Sequence, residues 1–69
     1  MKFYIIKHPE KGFLKSKKYF YCSWTDDIQW AKKWSYPNHP KNVIIQSSRP
    51  ELKECEVVEI KYEIVLYEL

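Results

Sequence analysis

Residues 56–66, Glu-Val-Val-Glu-Ile-Lys-Tyr-Glu-Ile-Val-Leu, alternate almost without a break: Val58, Ile60, Tyr62, Ile64 and Leu66 fall on one side, Glu59, Lys61 and Glu63 on the other. Successive strand side chains point to opposite faces, so a period of two predicts a long antiparallel strand, half in the core and half in solvent. Val65 and Tyr67 interrupt the polar side near its end. An apolar strand end of this kind invites sheet addition or a homodimer through the C-terminal strand.

Working outward, residues 2–7 (Lys-Phe-Tyr-Ile-Ile-Lys) are aromatic and β-branched, and four consecutive apolar residues predict a central strand covered on both faces. His8-Pro9-Glu10-Lys11-Gly12 reads as a turn, with Pro9 fixing φ and Gly12, the one glycine, free to take positive φ. Phe13-Leu14-Lys15 starts the return strand, Ser16-Lys17-Lys18 breaks or bulges it, and Tyr19–Ser23 continues it. Trp24-Thr25-Asp26-Asp27 then predicts a helix over 26–35. Thr25 caps it, the aspartates sit in its first turn, and Ile28, Ala31 and Trp34 share one face. It should stop before Tyr36-Pro37, since a residue preceding proline avoids helical geometry. Pro37–Asn42 reads as a rigid connection and Val43–Gln46 as a short strand. Ser48-Arg49-Pro50-Glu51 has capping-box spacing, enough for one helical turn. The expected architecture is a single α+β domain over 1–69: an antiparallel sheet of three to four strands in β-β-α-β-β order, with one helix packed on one face.

Composition narrows the function. Three Trp, six Tyr and three Phe in 69 residues help a small domain fill a thin core, and they exceed what such a core hides. No apolar run approaches the ~20 residues of a membrane span. Four apolar residues at 3–6 are too few for a secretion signal, so the cytoplasm is the expected compartment. Cys22 and Cys55 are expected as free core thiols, because small secreted scaffolds carry more cysteines. Through residue 41 nine lysines face Glu10, Asp26 and Asp27; from 42 onward Arg49, Lys53 and Lys61 face six glutamates. One part of the surface should be basic and another acidic.

No nucleophile has a convincing base, and one glycine cannot build a phosphate-cradling loop, so no catalytic residue and no cofactor is expected. Cys22, Cys55, His8 and His39 lack the short spacings of a zinc site, and no metal is expected. Two kinds of binding surface remain. Lys11, Lys15, Lys17 and Lys18 interleave with Phe13, Tyr19 and Tyr21 on the hairpin, the combination that binds single-stranded nucleic acid. Trp30, flanking the Ile28–Ala31–Trp34 stripe, either completes the core or, with Tyr36 nearby, anchors a protein partner. Glu56, Glu59 and Glu63 offer an acidic face toward a basic partner, or a charged solvent face.

The Lys-Phe-Tyr-Ile-Ile-Lys start, the Pro-Glu-Lys-Gly turn, Trp24-Thr25-Asp26-Asp27 with Ala31 and Trp34, and the closing Cys55-Glu56-Val57-Val58-Glu59-Ile60 recur together. In this order the chain resembles the small uncharacterised proteins of phages and prophages of low-GC Gram-positive bacteria. It departs from them between Tyr36 and Glu51, where prolines and a short strand replace a second helix. The resemblance implies a non-enzymatic accessory protein in the bacterial cytoplasm. Such a protein binds, redirects or inhibits a host factor of replication, transcription or defence, including CRISPR nucleases.

Overall fold

The computed structural model describes residues 2–18 and 21–61. Four strands, β1 (Lys2–His8), β2 (Gly12–Lys17), β3 (Cys22–Thr25) and β4 (Glu56–Lys61), form one antiparallel sheet in the order β3-β2-β1-β4. Two helices, α1 (Asn38–Gln46) and the single turn α2 (Pro50–Lys53), lie between β3 and β4 in the chain. The class is α+β. The element order is β-β-β-α-α-β, which corrects β-β-α-β-β.

The first hairpin forms as its residues dictate. His8 pairs with Gly12 and Lys7 with Phe13 across the turn. Gly12 takes φ of +90°, where a Cβ would stand 2.6 Å from the Thr25 carbonyl oxygen and 3.0 Å from Asp26 Oδ1. Positive φ and the close backbone both require glycine there. A register shift between Leu14 and Ser16 puts the irregularity of β2 at Lys15, just before the Ser16-Lys17-Lys18 stretch expected to break or bulge it. The chain then reverses, closed by the Lys18 N–H on the Tyr21 carbonyl at 2.7 Å. Residues 22–25 therefore do not prolong the return strand; they come back beside it as β3, with Trp24 opposite Leu14.

The helix expected at 26–35 is absent. Thr25 ends β3, only Ile28–Trp30 makes a 3-10 turn, and residues 31–34 are extended. The cause lies in β1. β2 pairs with β1 only at Lys7 and His8 and then diverges, and Ala31–Trp34 fills the fork. Trp34 exchanges both backbone hydrogen bonds with Tyr4 at 2.9 Å, and the Lys32 N–H donates to the Leu14 carbonyl at 2.9 Å. Buried backbone groups need such partners, and local helix propensity yields to them.

A helix occupies 38–46, where a rigid connection and a short strand were expected. Pro37 is its N-cap and Pro40 lies within its first turn, positions whose N–H groups have no helical partner, so neither proline breaks it. Val43 and Ile44 pack against the core and Ile45 is 68% exposed, a helical pattern in residues that read as a strand. Lys53 Nζ donates to the Ile45 carbonyl at 2.9 Å, satisfying an end of α1. α2 starts at Pro50 and sends Leu52 wholly inside.

Leu52 meets Ile6 and Leu14, with Cys22, Trp24, Trp34, Val43, Ile44 and Cys55 around them. The alternation of β1 puts Ile6 on this helix-covered face and Phe3 and Ile5 on the other, opposite Ile60 and Val58 of β4. β4 pairs with β1 from Lys2–Lys61 to Lys7–Glu56; the expected continuation through Tyr62, Ile64 and Leu66 lies outside the described residues.

Replacing Gly12 by Ala is expected to destabilise the fold by about 2–3 kcal/mol, since the new Cβ meets main chain at a disfavoured φ. A urea titration followed by tryptophan fluorescence reads this as a lowered midpoint at unchanged slope.

Candidate functional site

The most exposed tryptophan is presented by a tightly tied loop. Thr25 Oγ1 accepts the Asp27 N–H at 3.1 Å, so it orders the approach to the turn instead of capping a helix. Asp27 is the cap: its Oδ1 accepts the Gln29 N–H at 2.9 Å. Lys33 Nζ reaches back to the Gln29 and Ala31 carbonyls at 2.9 and 3.1 Å, satisfying acceptors that a longer helix would have paired. Buried Ala31 and the Lys32–Leu14 bond fix the far end. On this turn Ile28 is 37% and Trp30 60% exposed, whereas Trp24 and Trp34 pack against the core. Of the two readings of Trp30, completion of the core is the one the packing rejects.

The other protein-binding candidates are separately placed. Tyr36 precedes α1, exposed, with its ring edge-on to His39 at 5.9 Å. Glu59 accepts from Tyr4 Oη at 3.3 Å and pairs with Lys2 Nζ at 3.3 Å, and the lysine ammonium holds its carboxyl below the usual range. That is a locally neutralised solvent face. Glu63 lies outside the described residues, as do Tyr19 and the C-terminal strand end.

The basic hairpin set does not form one surface. Lys11 sits in the β1–β2 turn, at the opposite end of β2 from Lys17 and Lys18, with exposed Lys15 between them. Lys17 and Lys18 instead meet the α1–α2 linker around a hollow of about 370 Å³ lined also by Gln46, Ser47, Ser48 and Arg49. The capping-box spacing of Ser48-Arg49-Pro50-Glu51 gives no sign of the linker's place at this hollow, and the box itself does not form: Arg49 is the N-cap of α2, with no side-chain cap. In fact Ser47 accepts the Arg49 N–H, at 3.1 Å.

The titratable side chains inside the fold are occupied. His8 is 3% exposed; its Nδ1 accepts the Glu10 and Lys11 N–H groups at 3.0 and 3.1 Å. With Nδ1 accepting, Nε2 carries the proton and donates to Glu54 Oε2 at 2.9 Å. The ring also meets Trp24 edge-on at 5.3 Å. His8 thus holds the turn and has no nitrogen free for acid–base work. The Cys55 thiol donates to the Glu51 carbonyl at 3.3 Å, and burial pushes it up to about 11, with the Cys22 thiol and the Glu54 and Glu51 carboxylates adding to the rise. Burial raises Cys22 as well, against the pull of Arg49. Among the described residues no three His, Cys, Asp or Glu side chains gather as a metal site, and no helix is long and apolar enough to cross a membrane.

Comparison with protein-family models, curated proteins and solved structures finds no match for this chain.

His8→Ala leaves two turn N–H groups and Glu54 without their partner, and is expected to cost about 2 kcal/mol by urea denaturation. Cys55 carries a pH signature. Its folded-state thiol titrates above the unfolded one, so its stabilising contribution is complete below pH ~9 and is lost as pH rises toward about 11. Thermal melts across that window are expected to fall faster for the native chain than for Cys55→Ala; parallel falls would contradict this.

Proposed function

We propose that this chain is a non-enzymatic binding protein that engages a bacterial host protein, and that Trp30 is its anchor. The exposure of Trp30 on a turn tied by Asp27 and Lys33 carries this reading. A tryptophan side chain offers roughly 150–250 Å². Its exposed part, covered by a partner, is worth about 2–4 kcal/mol at the usual ~25 cal/mol per Å², the scale of an interface hot spot. A turn already held in place loses little entropy on binding. Ile28 beside it widens the apolar contact.

The resemblance to small phage and prophage proteins supplies the class of partner: a host factor of defence, replication or transcription, bound stoichiometrically and redirected or inhibited. Tyr36 is a second exposed aromatic, placed separately ahead of α1.

Immobilised protein exposed to a Gram-positive bacterial lysate is expected to capture a saturable partner. Trp30→Ala should weaken that capture by roughly 30-fold or more while leaving the melting temperature almost unchanged, since the ring is outside the core. Absence of any saturable partner, or equal capture by Trp30→Ala, would refute the reading.

A further inference from the structure

The β2–β3 turn and the α1–α2 linker meet at one end of the molecule, where Arg49 Nη2 donates to the Lys18 carbonyl at 3.4 Å. The hollow between them brings three cations, Lys17, Lys18 and Arg49, together with the Ser48 hydroxyl and the Gln46 amide. Among the described residues that line the hollow, three are cations and none is a carboxylate; Glu51 lies beside it, 3.7 Å from Arg49. The convergence has a second sign: both Lys17 and Arg49 lie close enough to Cys22 to oppose the effect of burial on its thiol. Cations with hydroxyl and amide donors around a concave surface are suited to the oxygens of a phosphate group. Tyr21, 58% exposed, stands at the same turn, its carbonyl holding the Lys18 N–H at 2.7 Å.

We infer that this end of the molecule binds single-stranded nucleic acid, with neighbouring backbone phosphates against Lys17, Lys18 and Arg49 and a base stacked on Tyr21. Cations that track phosphates beside an exposed ring are what single-strand binding uses. Duplex is the poorer ligand: α1, the longest helix among the described residues, carries a single lysine, Lys41, and offers no basic face to a major groove. The site is distinct from the Trp30 turn and does not depend on it.

The test is fluorescence anisotropy of an end-labelled oligothymidylate of about 12 nucleotides, within the usual footprint of a small single-strand site. About three phosphate contacts predict an affinity loss of roughly 20-fold between ~50 and ~200 mM salt. The exposed pair Lys17→Gln/Lys18→Gln should lower affinity at least ~10-fold and flatten the salt slope, and Tyr21→Ala should lower it about 5-fold or more. Trp30→Ala should bind as the native chain does, and melting curves confirm that each variant is folded. The inference is overturned by no anisotropy change at ~50 mM salt or by lysine variants that bind normally. It is equally overturned if a duplex of the same length binds as tightly, or if inorganic phosphate alone occupies the hollow while the oligonucleotide does not.

Discussion

The central strand β1 must find hydrogen-bond partners along both edges, and β2 supplies them for only part of one. β4 runs beside β1 from Lys2 to Lys7, but β2 leaves after Lys7 and His8. Tyr4 would face that gap with both backbone groups unpaired, and an unpaired buried group costs about 1–3 kcal/mol. Trp34 closes the gap by pairing with Tyr4, and Lys32 holds Leu14 on the diverging strand. One short segment therefore knits the two arms of the fork. It also fixes three side chains at once: Trp34 goes to the core side, Ala31 is buried, and Trp30, on the turn that feeds the segment, is left outside.

The same economy of parts shapes the interior. Of the four aliphatics fully buried among the described residues, Ile5, Ile6, Leu14 and Leu52, the last three form the helix-side cluster, and half-buried Trp, Cys, Val and Ile side chains complete its seal. Polar groups enter it only with partners. His8 is buried because the turn N–H groups and Glu54 occupy both of its nitrogens, and Ser47 because its hydroxyl takes the Arg49 N–H. Packing against that cluster also raises both thiols, Cys55 to about 11. The helices contribute Val43, Ile44 and Leu52 from a stretch with one proline at the N-cap of α1, one in its first turn and a third at the start of α2, a placement that limits the chain's freedom without cutting a needed hydrogen bond.

Where side-chain pattern and backbone demand agree, the sequence was legible. The β1 strand, the Gly12 turn, one helical turn near Pro50 and the strand from Glu56 follow from local chemistry, and each is present, but the bulge falls before Ser16 and Arg49, not Ser48, is the N-cap of α2. Legibility failed where a distant partner decided. Ile28, Ala31 and Trp34 have helical spacing, yet the open edge of β1 some thirty residues earlier claims Trp34 as a strand partner. Val43-Ile44-Ile45 is β-branched, yet Ile6 and Leu14 reward a helix that turns two of the three inward. Of the candidate surfaces, Trp30 was visible as ambiguous, because periodicity cannot say which side of a stripe ends up wet. The hollow at Lys17 and Lys18 was half visible, since its other wall, Gln46 to Arg49, arrives from a linker about thirty residues away.

Both candidate surfaces sit on connections that side chains tie down: the first by Asp27 and Lys33, the second by Ser47 and Arg49. In a domain this small, packing alone cannot rigidify a loop, so side-chain bonds to the backbone take over that task. The ties at the Trp30 turn are more than chain reversal requires. A polar residue at position 30 would keep every one of them, because none involves the indole, and would spare the surface an apolar patch. None of the ties depends on the ring, which is 60% exposed. What it adds is exposed apolar area on a turn whose backbone is held in place, and on that the proposed protein-binding role rests.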